Sequence, residues 1–324
     1  MSFNSTNGHS VRKAPLFLRT WFGALSALAP TTAEKQAAKM FITPRLRRTP
    51  TPTALHAKLL PERAMERRAG GAEPAYPVLS TGRVALWSWG RGPTVLLVHG
   101  WSGGAGDMAP IAAELVRAGY RAVMFDMPGH GDSEHRDTNL YVYLETIAAV
   151  GALVGPIEAI VGHSLGGTAI AVALGNRLIT AKRAVLLAPA LSPWSFSYHF
   201  ARIIGLAQEL VPGMVRRTEQ LVGRSADSLS AVEAVKELDM PGYLVHDPED
   251  LDVPFEHSTT IAAAWKGARL VTRTGLGHRG ILKDAATISG ILKFIRGQQP
   301  AGAQEESQGA GGARGAQEQP LQRA

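Results

Sequence analysis

Ser164 stands in the run Gly162-His163-Ser164-Leu165-Gly166, between the apolar residues 157–162 and an alanine-rich stretch. A serine hydroxyl is a weak nucleophile, but a G-x-S-x-G turn that joins a strand to a helix changes its circumstances. So tight a turn strains the serine backbone, and the residues two before and two after it must be nearly free of side chain. In return Oγ is exposed above a helix N-terminus, where unpaired N–H groups face developing negative charge. The chemistry this suits is attack on a carbonyl carbon.

Such an attack needs a general base, and the base needs a carboxylate to orient it. Both should sit on loops at the carboxyl ends of later strands. "TGLGHRGIL" places His278 between a glycine-rich loop and the start of a helix, and "YLVHDPEDLDVP" offers Asp247, Glu249, Asp250 and Asp252. Asp250 is the expected acid, because Asp247 finishes the strand whereas Asp250 lies inside the turn that follows. Serine, acid, histidine is the chain order this arrangement takes on a strand–turn–helix scaffold. An oxyanion needs two further donors. "LLVHGW" ends an apolar run at His99-Gly100, so the backbone N–H of Trp101 is expected to join that of Leu165. His99, His130, His163 and His246 lie within motif backbones and are expected to serve structure or hydrogen bonding.

Short apolar runs alternating with helical patterns must position these groups. "RVALWSWG" alternates like a half-exposed strand, and "TVLLVHG", "YRAVMFD", "IEAIVG", "RAVLLAPA", "GYLVHD" and "ARLVTRT" read as further strands. Helices fall between them: one capped by Asp107 with Pro110 in its first turn, one over "NLYVYLETIAAVGALV", and others around "TTIAAAWKG" and "ILKDAATISGILKFIRG". The pattern specifies an α/β fold, a doubly wound and mostly parallel sheet covered on both faces. About fifty residues, Leu191 to Asp239, exceed one crossover helix and begin with Trp194, Phe196, Tyr198 and Phe200. They are expected to form an inserted helical cap over the sheet's carboxyl end.

The chain has 324 residues and no cysteine, which excludes disulfides, thiolate zinc sites and cysteine nucleophiles. Neither H-E-x-x-H nor G-x-x-x-x-G-K-[ST] occurs, and "HDPEDLD" lacks the spacing and glycine of a calcium loop, so no metal and no nucleotide cofactor is expected. Twelve Lys or Arg against three acids make residues 1–70 strongly basic, leaving the rest of the +7 chain slightly acidic. The charge thus belongs to an extension, and no nucleic-acid partner is expected. In that extension Phe17, Leu18, Trp21, Phe22, Leu25 and Leu28 recur at helical spacing. This amphipathic helix is expected to pack on the main domain, with contact to a membrane surface as the other use of such a stripe. "TPRLRRTPTPT" reads as a linker, and the Gly-, Gln- and Ala-rich residues 297–324 as a disordered tail. No apolar run reaches the roughly 20 residues of a membrane span, and a retained segment in a cytoplasmic protein is expected.

Taken together, His99-Gly100-Trp101, "DMPGHGDS", "GHSLGG", "HDPEDLDVP" and "GLGH" resemble the α/β-hydrolase fold superfamily in its Ser-His-Asp branch, across residues 76–296. The resemblance implies a nucleophile at Ser164, an acid at Asp250, a base at His278 and oxyanion donors at the Trp101 and Leu165 amides. It also implies that no cofactor is needed. One departure is Asp247, where many members carry glycine after the histidine of the acid loop. The function expected is hydrolysis of a small-molecule carboxylic ester with an apolar acyl or alkyl part. A thioester, a lactone or a C–C bond would use the same groups, and a binding module that had lost turnover would keep the same fold. Oligomeric state is not legible from the sequence.

Overall fold

The computed structural model describes residues 13–44, 78–79, 82–135 and 137–298. Most of the proline-punctuated linker, and the tail from residue 299, lie outside the described residues.

A two-stranded hairpin, β1 (Val78–Leu79) and β2 (Gly82–Arg83), precedes the main sheet. That sheet contains β3 (Leu86–Trp89), β4 (Thr94–Val98), β5 (Arg121–Phe125), β6 (Ile157–His163), β7 (Ala184–Leu187), β8 (Gly242–His246) and β9 (Ala268–Thr272). Their order is β3-β5-β4-β6-β7-β8-β9, with β3 antiparallel to β5 and the remaining pairs parallel. Side chains alternate between the two faces, so each strand feeds two cores. Val95 and Leu97 join Val161, Leu187 and Tyr243 on one face, under α3 (Ala109–Arg117) and α11 (Ala285–Ile295). Leu96 and Val98 join Ile160, Leu186 and Leu244 on the other, under α4 (Leu140–Val154), α5 (Leu165–Gly175) and α9 (Glu256–Ala264). Burial on both faces is why these strands read as continuous apolar runs.

The path of the chain sets where a site can form. From β4 it passes through α3 to β5, crosses back over β4 through α4 to β6, and then continues to β7 on the other side. The winding therefore reverses between β4 and β6, whose loops must diverge and leave a crevice at the strands' carboxyl ends. Val98 pairs with Gly162, so the turns after β4 and β6 open side by side.

Three sequence expectations are corrected. β3 is shorter than "RVALWSWG" and is not half exposed: Leu86 faces one core, Trp87 and Trp89 the other, and only Ser88 is exposed. Asp107 does not cap α3. It lies within a 3-10 turn (Ala105–Met108), Met108 takes the cap position without a side-chain bond, and the Asp107 carboxylate instead meets Arg279 at 3.3 Å. The N-terminal stripe is not one buried face. In α1 (Leu16–Leu28) Phe22 is buried and Leu18 and Leu25 pack beside it, whereas Phe17, Trp21 and Leu28 are exposed.

Between β7 and β8 the chain forms α6 (Pro193–Ile204), a 3-10 turn (Gln208–Leu210), α7 (Val211–Val222) and α8 (Ala231–Val235). Ser192 and Ser195 cap α6 reciprocally, and Gly205 ends it with φ 81°. Against α6 and α7 lie α1 and a second helix, α2 (Pro30–Ile42), in a satellite core around Phe22, Ile204 and Met214. Pro30 starts α2 at its first position. Ala33, Ala37 and Ala38 form its buried face, and such small side chains let it approach α7 closely enough for Glu34 to meet Arg217 Nε at 2.9 Å.

Phe22 anchors this satellite core away from the sheet. Phe22→Ala should remove roughly 3–5 kcal/mol of packing from the N-terminal pair alone. Limited proteolysis is expected to cut within residues 13–44 faster in the variant while the melting of the main sheet changes little. Equal protease resistance would show that Phe22 does not hold the pair in place.

Candidate active site

Ser164 occupies the turn from β6 into α5 with φ 53° and ψ −123°, a conformation costly for any residue with a side chain. Surrounding contacts hold it there. A Cβ on Gly162 would lie 2.7 Å from the Gly166 backbone, and one on Gly166 would lie 2.5 Å from the carbonyl oxygen of His99. Both glycines are therefore steric requirements, because backbone passes against backbone at these points. The Ser164 amide donates to the Leu187 carbonyl at 2.8 Å, which ties the turn to β7. Leu165 opens α5, so its N–H belongs to the first turn and has no acceptor within the helix.

After β4, Gly100 to Gly103 form a turn closed by the Gly103 amide on the Gly100 carbonyl at 3.1 Å. Ser102 sits at φ 53°, with its amide donating to His130 Nε2 at 3.0 Å. The second residue of such a turn, Trp101, keeps its own N–H out of the closing bond. Gly100 lies so close to the Ser164 turn that a Cβ there would be 2.9 Å from Ser164 Cβ. Trp101, Ser164, Leu165 and His278 all line one cavity of about 840 Å³.

Asp250 and His278, the latter in the short helix α10 (Gly277–Gly280), meet directly, with His278 Nδ1 2.6 Å from Asp250 Oδ2. The Asp250 side chain is fully buried. Burial alone would raise its pKa, but hydrogen bonds from His246 and His278, the charge of His278 and the Asp252 amide outweigh it and hold the carboxyl far below the usual carboxylate range. An ionised carboxylate only accepts, so Nδ1 carries the proton and Nε2 of His278 is left with the lone pair. Such an imidazole can take a proton from a hydroxyl in the cavity.

Asp247 does something else. Its Oδ2 accepts the amides of Leu276 and Gly277, each at 2.6 Å, and its Oδ1 accepts that of Glu249 at 2.9 Å. It clamps the loop that carries His278 and does not face the imidazole. From the opposite side His163 Nε2 donates to the His278 carbonyl at 2.8 Å, so the residue beside Ser164 also fixes the histidine loop. His246 lies behind Asp250, with Nε2 3.3 Å from Oδ2 and 3.1 Å from the Val253 carbonyl, and Nδ1 2.7 Å from Ser258 Oγ. Glu249 and Asp252 supply backbone amides to this loop, the latter to Asp250 Oδ1 at 2.8 Å. Sequence reasoning missed the Asp247 clamp and the cavity wall built by Lys13, Met40, Phe41 and Ile42. No signal along the chain links residues 247 and 276, and nothing in α2 marks it as a wall. Among the described residues no cluster of three or more His, Asp or Glu is placed to hold a metal.

Several buried histidines frame the site. His99 accepts the Met127 amide at Nε2 and donates from Nδ1 to the Gly100 carbonyl, and burial lowers its pKa to about 4. Burial likewise lowers His130 to about 3 and His257 to about 4. In the unfolded chain each would titrate near 6.5, so between that value and about 4 the unfolded state takes up protons that the folded state refuses. Stability is therefore full above pH 6.5 and falls as the pH drops through this window. Asp250, depressed when folded, extends the loss to lower pH, while Asp126, whose carboxyl burial raises, opposes it. Urea midpoints are expected to decline steadily from pH 7 to pH 4, and a flat profile would contradict the neutral, buried histidines.

A family model described as the alpha/beta hydrolase family matches residues 95–289. Pimeloyl-[acyl-carrier protein] methyl ester esterase of Xanthomonas campestris pv. campestris (strain B100) is 40% identical over 78 residues, 24% of this chain and 30% of that protein. Serine hydrolase-like protein of Homo sapiens is 36% identical over 93 residues, 26% of this chain and 45% of that protein. The matches thus span less than half the length of these curated relatives. Among solved structures, an esterase (EaEST) from Exiguobacterium antarcticum superposes with TM-score 0.55 at 16% identity, over 69% of this chain and 100% of that one. Alpha/beta hydrolase domain-containing protein 10 from mouse gives TM-score 0.55 at 20% identity, over 70% and 98%. At such identities the likeness is one of fold. With the family model covering well over half the chain, from β4 into α11, this protein belongs to the alpha/beta hydrolase family.

Proposed function

We propose that the protein is a serine hydrolase that cleaves small-molecule carboxylic esters bearing an apolar acyl or alkyl part. The observation that carries this reading is His278, held at Nδ1 by the buried Asp250, lining the same cavity as Ser164. His278 Nε2 takes the proton from Ser164 Oγ as Oγ attacks the ester carbonyl. The amides of Trp101 and Leu165 hold the oxyanion, and Asp250 stabilises the imidazolium. His278 then protonates the leaving alcohol, and a water deprotonated by the same nitrogen releases the acid from the acyl-serine. No step calls for a cofactor. Asp247 and His163 act as positioning residues, since each holds the backbone around His278.

The cavity wall supports this substrate class. Phe41, Leu165, Phe196, Phe200 and Ile203 give it an apolar lining, and about 840 Å³ accommodates an acyl chain of medium length. The esterase names of the Xanthomonas relative and the Exiguobacterium structure accord with an ester bond. A binding module without turnover would be favoured had Asp247 displaced Asp250 from His278, and the hydrogen bonds run the other way.

The test is hydrolysis of p-nitrophenyl esters across acyl lengths by the wild type and Ser164→Ala. An optimum at medium length is expected, with kcat/KM lower in the variant by on the order of 10³-fold or more. Equal rates in both proteins would overturn the serine mechanism, and no turnover of any chain length would overturn the ester assignment.

A further inference from the structure

A helix that lies on a protein surface buries its apolar stripe and turns charged or polar residues outward. α1 breaks this rule. Phe22, Leu18 and Leu25 face the satellite core, yet the opposite arc carries Leu16, Phe17, Thr20, Trp21, Gly23, Ala24, Ala27 and Leu28, all exposed and none charged. Leu16 is 72% exposed, Phe17 74% and Leu28 86%. So large an uncharged apolar face is costly in water and marks an interaction surface. α1 is too short to cross a bilayer, and among the described residues no helix is long and apolar enough to do so.

Charge identifies the occupant. Residues 13–44 carry Lys13, Arg19, Lys35 and Lys39 against one acid, Glu34, which is already paired with Arg217. Lys13, Lys35 and Lys39 are exposed, and residues 1–70 as a whole hold twelve cations and three acids. An uncharged apolar helical face, preceded by Lys13 and accompanied by the exposed Lys35 and Lys39 of the adjoining α2, fits the boundary between the headgroups and acyl chains of an anionic bilayer. A second copy of this chain would bring the same cations against them. The patch also adjoins the cavity: Lys13, Ala14 and Pro15, which lead directly into α1, line the cavity wall together with Lys39 and Met40 of α2. The Ala14 amide donates to the Ile203 carbonyl at 3.0 Å, fixing this rim to α6.

We propose that α1 lies flat on an anionic lipid surface and that the cavity takes its ester from that surface. The second half rests on the hydrolase reading above; the first does not. Docking is therefore measured on the full chain carrying Ser164→Ala, by co-sedimentation with phosphatidylcholine vesicles with or without about 30% phosphatidylglycerol. Pelleting is expected with the anionic vesicles, at least about tenfold weaker with the neutral ones. Adding Leu16→Ser, Phe17→Ser, Trp21→Ser and Leu28→Ser should weaken it by at least about tenfold. These side chains lie outside the cavity and are exposed, so circular dichroism and the melting of the main sheet should be unchanged, and Leu16→Ser, Phe17→Ser and Leu28→Ser without the Trp21 change, which spares the ring contact with Phe22, should weaken pelleting in the same direction. With Ser164 restored, the fourfold variant should hydrolyse a dissolved p-nitrophenyl ester at the normal rate and a vesicle-embedded one at least about tenfold more slowly. Docking is overturned if the full chain ignores anionic vesicles, if the variant pellets equally well, or if sedimentation velocity shows a dimer that the variant splits. If docking stands but neither ester is cleaved, the hydrolase reading alone has failed.

Discussion

The α-carbon of Gly166 presses against the carbonyl oxygens of Val98 and His99, leaving no room for a side chain. That contact locks the start of α5 to the end of β4, and the site's geometry depends on it. Because Val98 and Gly162 are paired in the sheet, the lock sets Ser164 beside Gly100 and brings the first amides of α5 next to the turn that carries Trp101. The positive φ of Ser164 is the cost of this closeness. A sheet buried on both faces supplies the rigidity that sustains it.

The electrostatic half of the site follows similar logic. The Asp250 side chain is buried, and it stays ionised because two imidazoles and two amides surround it. Remove that surrounding and burial would favour the neutral acid, which would offer a proton to His278 instead of accepting one. Asp247, the residue immediately after β8, spends its oxygens on backbone amides and so stabilises a loop rather than a charge on the imidazole. Two carboxylates in one short turn thereby take different roles, set by the donors that reach them.

Ser164 and His278 were legible in the sequence because the constraints on them are local: glycines at fixed offsets, and a strand before each loop. The sheet was legible for the same reason, since burial on both faces leaves short unbroken apolar runs. Asp250 was harder. Only donors from Leu276 and Gly277, 29 and 30 residues away, separate Asp247 from it. The part played by α2 was not visible at all, because its packing face is built from Ala33, Ala37 and Ala38, which differ little in hydropathy from a solvated helix. In α1 the stripe was legible but its width was not. Phe22 and Trp21 are neighbours in sequence and in ring contact, 4.8 Å between centroids, yet one faces the protein and the other the solvent.

The proposed hydrolysis turns on Ser164 carrying an activated hydroxyl. The most direct measurement is exposure of the folded protein to a fluorophosphonate, followed by intact-mass and peptide-mass analysis. A single adduct on Ser164, formed on the order of 10²-fold more slowly or not at all in His278→Ala, is the result expected. No adduct, or one on another serine with Ser164 untouched, would contradict it.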